Sequence, residues 1–209
     1  EAFNAFTDKE ARYRYRHLDL IANPSRKDIF KKRSDIIHHL RSYLNSNDYL
    51  EVETPILQPI PGGATARPFI THHNALDIPL YLRISDELFL KKLIVGGFEA
   101  VYEFSRDFRN EGMDKNHNPE FTILELYVAY KDYFWMMELT ESLIEKICIE
   151  VNGKTKIEYD SKLIEFKAPY ERISILDAIK KFTGYDISGM DEDELRSICN
   201  EMSIEVDET

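Results

Sequence analysis

The chain has 209 residues, 43% hydrophobic and 31% charged, with a net charge of −11 from 27 basic and 38 acidic side chains. That composition is globular and offers enough apolar material for one domain, or one domain plus part of another. The acidic balance excludes a sequence-independent nucleic-acid coat, which needs a broad basic face, while a local basic groove stays open.

No apolar run reaches membrane-spanning length, so no membrane partner is expected. Cys148 and Cys199 lie far apart and fit no metal spacing. They read as buried free thiols of a reducing cytosol, and the expected location is cytoplasmic. Residues 1–23 read as an irregular polar and aromatic lead-in. From Pro24 onward, Ile29, Phe30, Ile36, Ile37, Leu40 and Leu44 recur at helical spacing, which predicts a helix to about Ser46. YLEVETPIL alternates Leu50 and Val52 with Glu51 and Glu53, which predicts a strand stopped by Pro55. PIPGGATA (59–66) is a turn-rich loop. PFITHHN and IPLYLRI read as two strands joined through NALD.

Asp86 is expected to cap a helix that runs through Val95 and closes at Gly96 and Gly97. VYEFSRDFR (101–109) and EFTILELYVAY (120–130) read as paired strands. An apolar helix is predicted over about Phe134 to Val151, then a hairpin turning at Asp160–Ser161. Two short helices follow, Leu176 to Phe182 after Ser174 and Glu192 to Met202 after Asp191. Helices on a mostly antiparallel sheet make the fold class α+β. Neither GxGxxG nor GxxxxGK[ST] occurs, so any bound ATP is held without a P-loop.

The chemistry concentrates in FRNEGMDKNHNPEF, residues 108–121. Side chains two apart on a strand share a face. Phe121, Ile123, Glu125 and Tyr127 therefore point one way, and Thr122, Leu124, Leu126 and Val128 the other. The second set suits a core. The first mixes ring, carboxylate and phenol, and suits a cavity, with Phe121 and Glu125 about 13 Å apart. Arg109 has the parity of Glu103, Ser105 and Asp107, at a strand end suited to a phosphate or carboxylate. Glu111 and His117 flank the loop. Taken singly, Arg109 and Glu111 read as an exposed ion pair, His117 as a loop histidine and Phe121 as core. Glu125, among apolar neighbours, is expected to meet a cation.

FRNEG followed by HNPEFT resembles motif 2 of the class II aminoacyl-tRNA synthetases. The long helix ending in YLEVETP resembles their motif 1, with Pro55 as its terminal proline. IPGGATARPFITHHNALDIPLYLRI, DELFLKKLIVGGFEAVYEF and the early RYRHLDLIANP resemble the lysyl-tRNA synthetase family of class IIb in particular. The resemblance runs from about residue 10 to about residue 150, and more loosely onward.

It implies a class II catalytic domain, with an antiparallel sheet flanked by helices, over 24–168. It also implies a lead-in at 1–23 from an anticodon-binding OB domain and the start of a helical insertion at 169–209. The reaction it implies has two steps. L-lysine and ATP give lysyl-adenylate and pyrophosphate, and the lysyl group then passes to tRNA(Lys). By resemblance Arg109 bridges the lysine carboxylate and the α-phosphate. Glu111 and the backbone by Asn118 read the adenine edge, Phe121 stacks on the ring, and His117 lies near the outer phosphates. Gly63 and Glu87 meet the α-amino group, and Glu125 and Tyr127 hold the side-chain ammonium.

The third motif of the family and the ligands of its Mg²⁺ are expected beyond residue 209, so these residues alone are expected to be inactive. A homodimer through the motif 1 helix and strand is implied as well. Two alternatives are a lysyl transferase that modifies an elongation factor and a non-catalytic module that keeps the synthetase fold.

Overall fold

The computed structural model describes residues 6–206, and the chain divides into two compact units after Ala168. Residues 1–5 of the expected lead-in and 207–209 of the expected insertion lie outside the described residues.

The described part of the lead-in is helical rather than irregular. α1 (Lys9–Arg14) is capped by Asp8, which accepts from the Ala11 amide, and α2 (Arg16–Ala22) follows directly. Asp19 explains the difference. It is fully buried and accepts from Arg12 at 2.8 Å, from Arg16 and from Asn23 at 2.9 Å. Those partners stand at helical spacings around a polar residue, a period that counting apolar residues misses.

Pro24 opens a 3-10 turn (Pro24–Arg26) that leads into α3 (Lys27–Ser46). The expected strand in YLEVETPIL shrinks to β1 (Leu50–Glu51) and β2 (Leu57–Gln58). Leu50 is exposed, against the alternation read from the sequence. The chain is diverted at Thr54, whose hydroxyl donates to Glu103 Oε2 at 2.7 Å and whose carbonyl accepts from Arg83 at 3.2 Å.

β3 (Ile70–His73) and β4 (Ile78–Leu82) form the expected pair, and with β2 make an antiparallel sheet of order β2-β4-β3. α4 (Glu87–Val95) ends where expected, with Gly97 at φ 105. Asp86 precedes it but makes no side-chain cap, because its carboxyl turns inward to Ser105 and Arg83. Ser85 Oγ accepts from the Glu87 amide instead.

β5 (Ala100–Phe108) and β6 (Glu120–Val128) pair antiparallel over their full length, and β1 joins β5 in parallel. In this register Tyr102 faces Leu126 and Phe104 faces Leu124. Those residues and Val128 pack on Leu44, Tyr49, Leu139 and Trp135. The last two belong to α5 (Tyr133–Asn152), capped by Asp132 and ended by Gly153 at φ 71. The β6 face containing Leu124 is thus the core face, as its parity requires.

β7 (Lys156–Tyr159) and β8 (Lys162–Glu165) form the hairpin, with Asp160 and Ser161 both at positive φ. The second unit holds α6 (Ile175–Thr183), capped by Ser174, and α7 (Glu192–Glu201), whose Asp191 and Glu194 form a capping box. Both cysteines are free thiols. Cys148 is buried as expected, while Cys199 on the short α7 is only partly covered. Among the described residues, no helix is long and apolar enough to cross a membrane.

Leu44 on α3 is fully buried against the sheet and α5. Leu44→Ala is expected to destabilise the protein by about 2–5 kcal/mol, read as a lower denaturant midpoint.

Candidate functional site

The β5–β6 hairpin carries two adjoining groups on the face opposite the core. At its loop end, Arg109, Glu111, Gly112, Asn116, His117, Asn118 and Phe121 line one cleft of about 510 Å³. The Arg109 guanidinium lies 5.0 Å from the centre of the Phe121 ring. It also points both Nε and Nη2 at the Ile84 carbonyl, each at 3.4 Å. Arg109 and Glu111 do not form the surface ion pair that either alone suggests. Glu111 Oε1 accepts from the Arg67 amide at 3.2 Å, and the Asn110 amide bonds the Arg67 carbonyl, so the hairpin is laced to the loop before β3.

The loop orders itself. Asp114 accepts from the amides of Asn116 and His117 and pairs with His117 Nδ1 at 2.8 Å. The His117 ring and these amides hold the Asp114 carboxyl below the usual range. The Asn118 side chain is spent on the Glu120 carbonyl.

The second group collects at the start of α4. Glu125 Oε1 accepts from Ser85 Oγ at 3.0 Å, and Tyr127 O–H lies 3.5 Å from Glu125 Oε2. Gly63 backs this corner at φ 87, and a Cβ there would lie 2.8 Å from Ser85 Oγ and 2.9 Å from Glu87 Cβ. Only glycine fits, on both backbone and space grounds. Glu87 pairs with Lys91 at 2.6 Å, and Lys91 Nζ sits 5.8 Å from the Tyr127 ring centre.

The cation expected beside Glu125 is not supplied by this unit. Among its described residues, no lysine or arginine forms an ion pair with it. Desolvation raises its pKa, and raises that of Tyr127 with help from the Glu125 charge. Ile84 and Ser85 are consecutive, so Arg109 on one and Glu125 on the other join the cleft to the acidic pocket.

Beneath both lies a charged cluster that the sequence reading missed. Arg83 is 3% exposed, yet it ends the apolar run IPLYL. Its Nη1 reaches Glu103 Oε1 at 2.7 Å, Asp86 Oδ1 at 3.1 Å and the Thr54 carbonyl at 3.2 Å. Its Nε reaches the Arg106 carbonyl at 3.0 Å and Asp107 Oδ1 at 3.3 Å. The signal was there to read: Glu103 and Asp107 share a parity on β5, and two buried carboxylates on one strand face need a buried cation.

Three carboxyls to one guanidinium leaves an excess of negative charge. Burial, then the neighbouring Asp86, push Asp107 up to about 7, and burial raises Asp86 too. Among the described residues, no group of three or more His, Cys, Asp or Glu is placed to hold a metal.

A raised folded-state pKa favours the folded protein below the ordinary value of 3.8, and that advantage is lost as pH rises through about 7. Asp107→Asn carries no such titration. Its stability relative to the unsubstituted protein is expected to improve steadily between pH 4 and 7 and then level off, read by denaturant midpoints across that range.

Residues 8–207 match the family model of class II tRNA synthetases (D, K and N). The chain is 61% identical over 209 residues to the lysine–tRNA ligase of Porphyromonas gingivalis strain ATCC 33277, covering all of this chain and 36% of that protein. It is 58% identical over 207 residues to the lysine–tRNA ligase of Azobacteroides pseudotrichonymphae genomovar. CFP2, covering 99% of this chain and 41% of the relative. For the lysine–tRNA ligase of Christiangramia forsetii the identity is 60% over 206 residues, or 99% and 36%. The chain thus spans 36–41% of the length of these relatives. The hairpin cleft and the acidic pocket are carried on a chain that belongs to the class II tRNA synthetase family.

Proposed function

We propose that this chain supplies the amino-acid and nucleotide sites of a lysine–tRNA ligase. One observation carries the reading. Arg109 touches both the aromatic cleft and the corner holding Glu125, so a single guanidinium stands where a nucleotide and an amino acid would meet.

In the first step a lysine carboxylate oxygen attacks the α-phosphorus of ATP, the bond to pyrophosphate breaks, and lysyl-adenylate forms. Arg109 holds carboxylate and α-phosphate together and spreads the charge that builds during attack. Phe121 covers the adenine, Glu111 and the Asn118 backbone read its edge, and His117 lies toward the outer phosphates. The Gly63 carbonyl and Glu87 take the α-amino group, with Lys91 giving way. Glu125 and Tyr127 take the side-chain ammonium. In the second step a ribose hydroxyl of tRNA(Lys) attacks the acyl carbon and AMP leaves.

Specificity follows from burial. A desolvated carboxylate and phenol are left unpaired by any side chain that lacks a cation, and that penalty rejects it. Ile29 and Phe30 near the start of α3 and Leu50 on β1 are all exposed, which supports a homodimer through this helix and strand. The work belongs in the cytoplasm with tRNA and its other partners. Mg²⁺ accompanies the ATP, held by groups outside residues 1–209.

In the full-length protein, Arg109→Ala is expected to lower lysine-dependent ATP–pyrophosphate exchange by about 10²–10³. Exchange at the unsubstituted rate would remove the assignment. Glu125→Gln keeps the shape and is expected to weaken L-lysine binding by about 1.5–3 kcal/mol in calorimetry, with ATP affinity unchanged.

A further inference from the structure

The buried cluster beneath the pocket has more oxygens than hydrogens. Ser105 Oγ has one hydrogen to give, yet it lies within hydrogen-bond distance of both Asp86 Oδ2, at 2.5 Å, and Asp107 Oδ1, at 3.1 Å. Arg83 Nη1 has two hydrogens for Thr54 O, Thr54 Oγ1, Glu103 Oε1 and Asp86 Oδ1, all within 3.3 Å. Asp86 and Asp107 are fully buried, and Ser105 Oγ bridges a carboxylate oxygen of each. Neither Asp86 Oδ1 nor Asp107 Oδ2 has a hydrogen-bond partner of its own. Two fully ionised carboxylates in these positions would face each other and Ser105 with a hydrogen missing. One extra proton completes the set.

We infer that Asp86 and Asp107 share a single proton, and that a substrate ammonium entering beside Glu125 displaces it. This rests on the proposed lysine site. The groups around the pair are Arg83 and Glu87 at the start of α4, Glu103 and Ser105 on β5, Arg109 beyond it, and Glu125 and Tyr127 on β6. Glu125 couples to the pair through Ser85, which donates to it at 3.0 Å and directly precedes Asp86, and its charge repels those of Asp86 and Asp107. With the proton in place the cluster's negative charge is lower and the pocket is easier to keep empty. When an ammonium arrives, its positive charge takes over the proton's role. The carboxyl O–H bond breaks, its electron pair stays on the carboxylate, and the proton passes to water. Burial holds Asp107 in the range where such a loss occurs near neutrality. Asp86 and Asp107 are thus positioning residues that set the charge of the lysine pocket without touching lysine.

The test is calorimetry of L-lysine binding to the full-length protein at several values from pH 5.5 to 8, in buffers of different ionisation enthalpy. Release approaching one proton per lysine is expected below neutrality, with affinity rising up to about tenfold per pH unit and levelling above it. Asp107→Asn should abolish both the release and the slope. Ser105→Ala should keep the release but move the pH at which affinity levels, and it carries the test if Asp107→Asn does not fold. Lysine binding without proton release, or an unchanged slope in Asp107→Asn, overturns the inference and leaves the proposed function standing. Failure to bind L-lysine at any pH overturns the proposed function. The shared proton is then decided by the infrared band of a neutral carboxyl, expected near pH 6 and absent from Asp107→Asn; its absence from the unsubstituted protein overturns the inference.

Discussion

The site depends on Arg83. Its guanidinium is sealed from water and binds the link between β1 and β2, the turn into α4 and three residues of β5 at once. Backbone bonds from Val52 to Tyr102, from Arg83 to Ile56 and from Phe108 to Arg83 lay these segments side by side, and the guanidinium ties their side chains together. Removing one member of a buried charged network strands the others, which costs about 3–5 kcal/mol. Residues of the candidate site adjoin this network: Ser85 and Glu87 flank Asp86, and Arg109 follows Asp107 by two positions.

The hairpin divides the labour between its faces. Leu124, Leu126 and Val128 anchor β6 to α3 and α5, while Glu125 and Tyr127 look toward α4. A carboxylate on a well-anchored strand cannot move toward solvent to regain hydration. That is why desolvation dominates its titration. The loop at the hairpin tip is built differently. Asp114 folds it through local amides and His117, and Asn110 and Glu111 tie its base to Arg67.

Local signals carried much of the fold. Pro24, Gly97, Gly153, Ser174 and Asp191 mark element ends because they act through their own backbone geometry or their own capping atoms. The alternation in EFTILELYV told cavity face from core face, since a strand's period is two regardless of its surroundings. Asp86 misled because a carboxylate before a helix has two options, and a buried guanidinium outbids an amide. The lead-in misled because its helices are organised around the buried ion Asp19 and not around an apolar stripe.

By itself, the sequence determined the elements with local punctuation, the parity of the hairpin and the set of chemically armed residues from Arg109 to Tyr127. Tertiary structure alone decided that Arg83, Asp86, Glu103 and Asp107 share one buried cluster, and that Gly63 closes against Ser85 and Glu87. The reason is distance along the chain. A turn or a cap is settled by neighbours a few bonds away, whereas a desolvated charge is settled by whichever remote groups the packing brings within 3 or 4 Å.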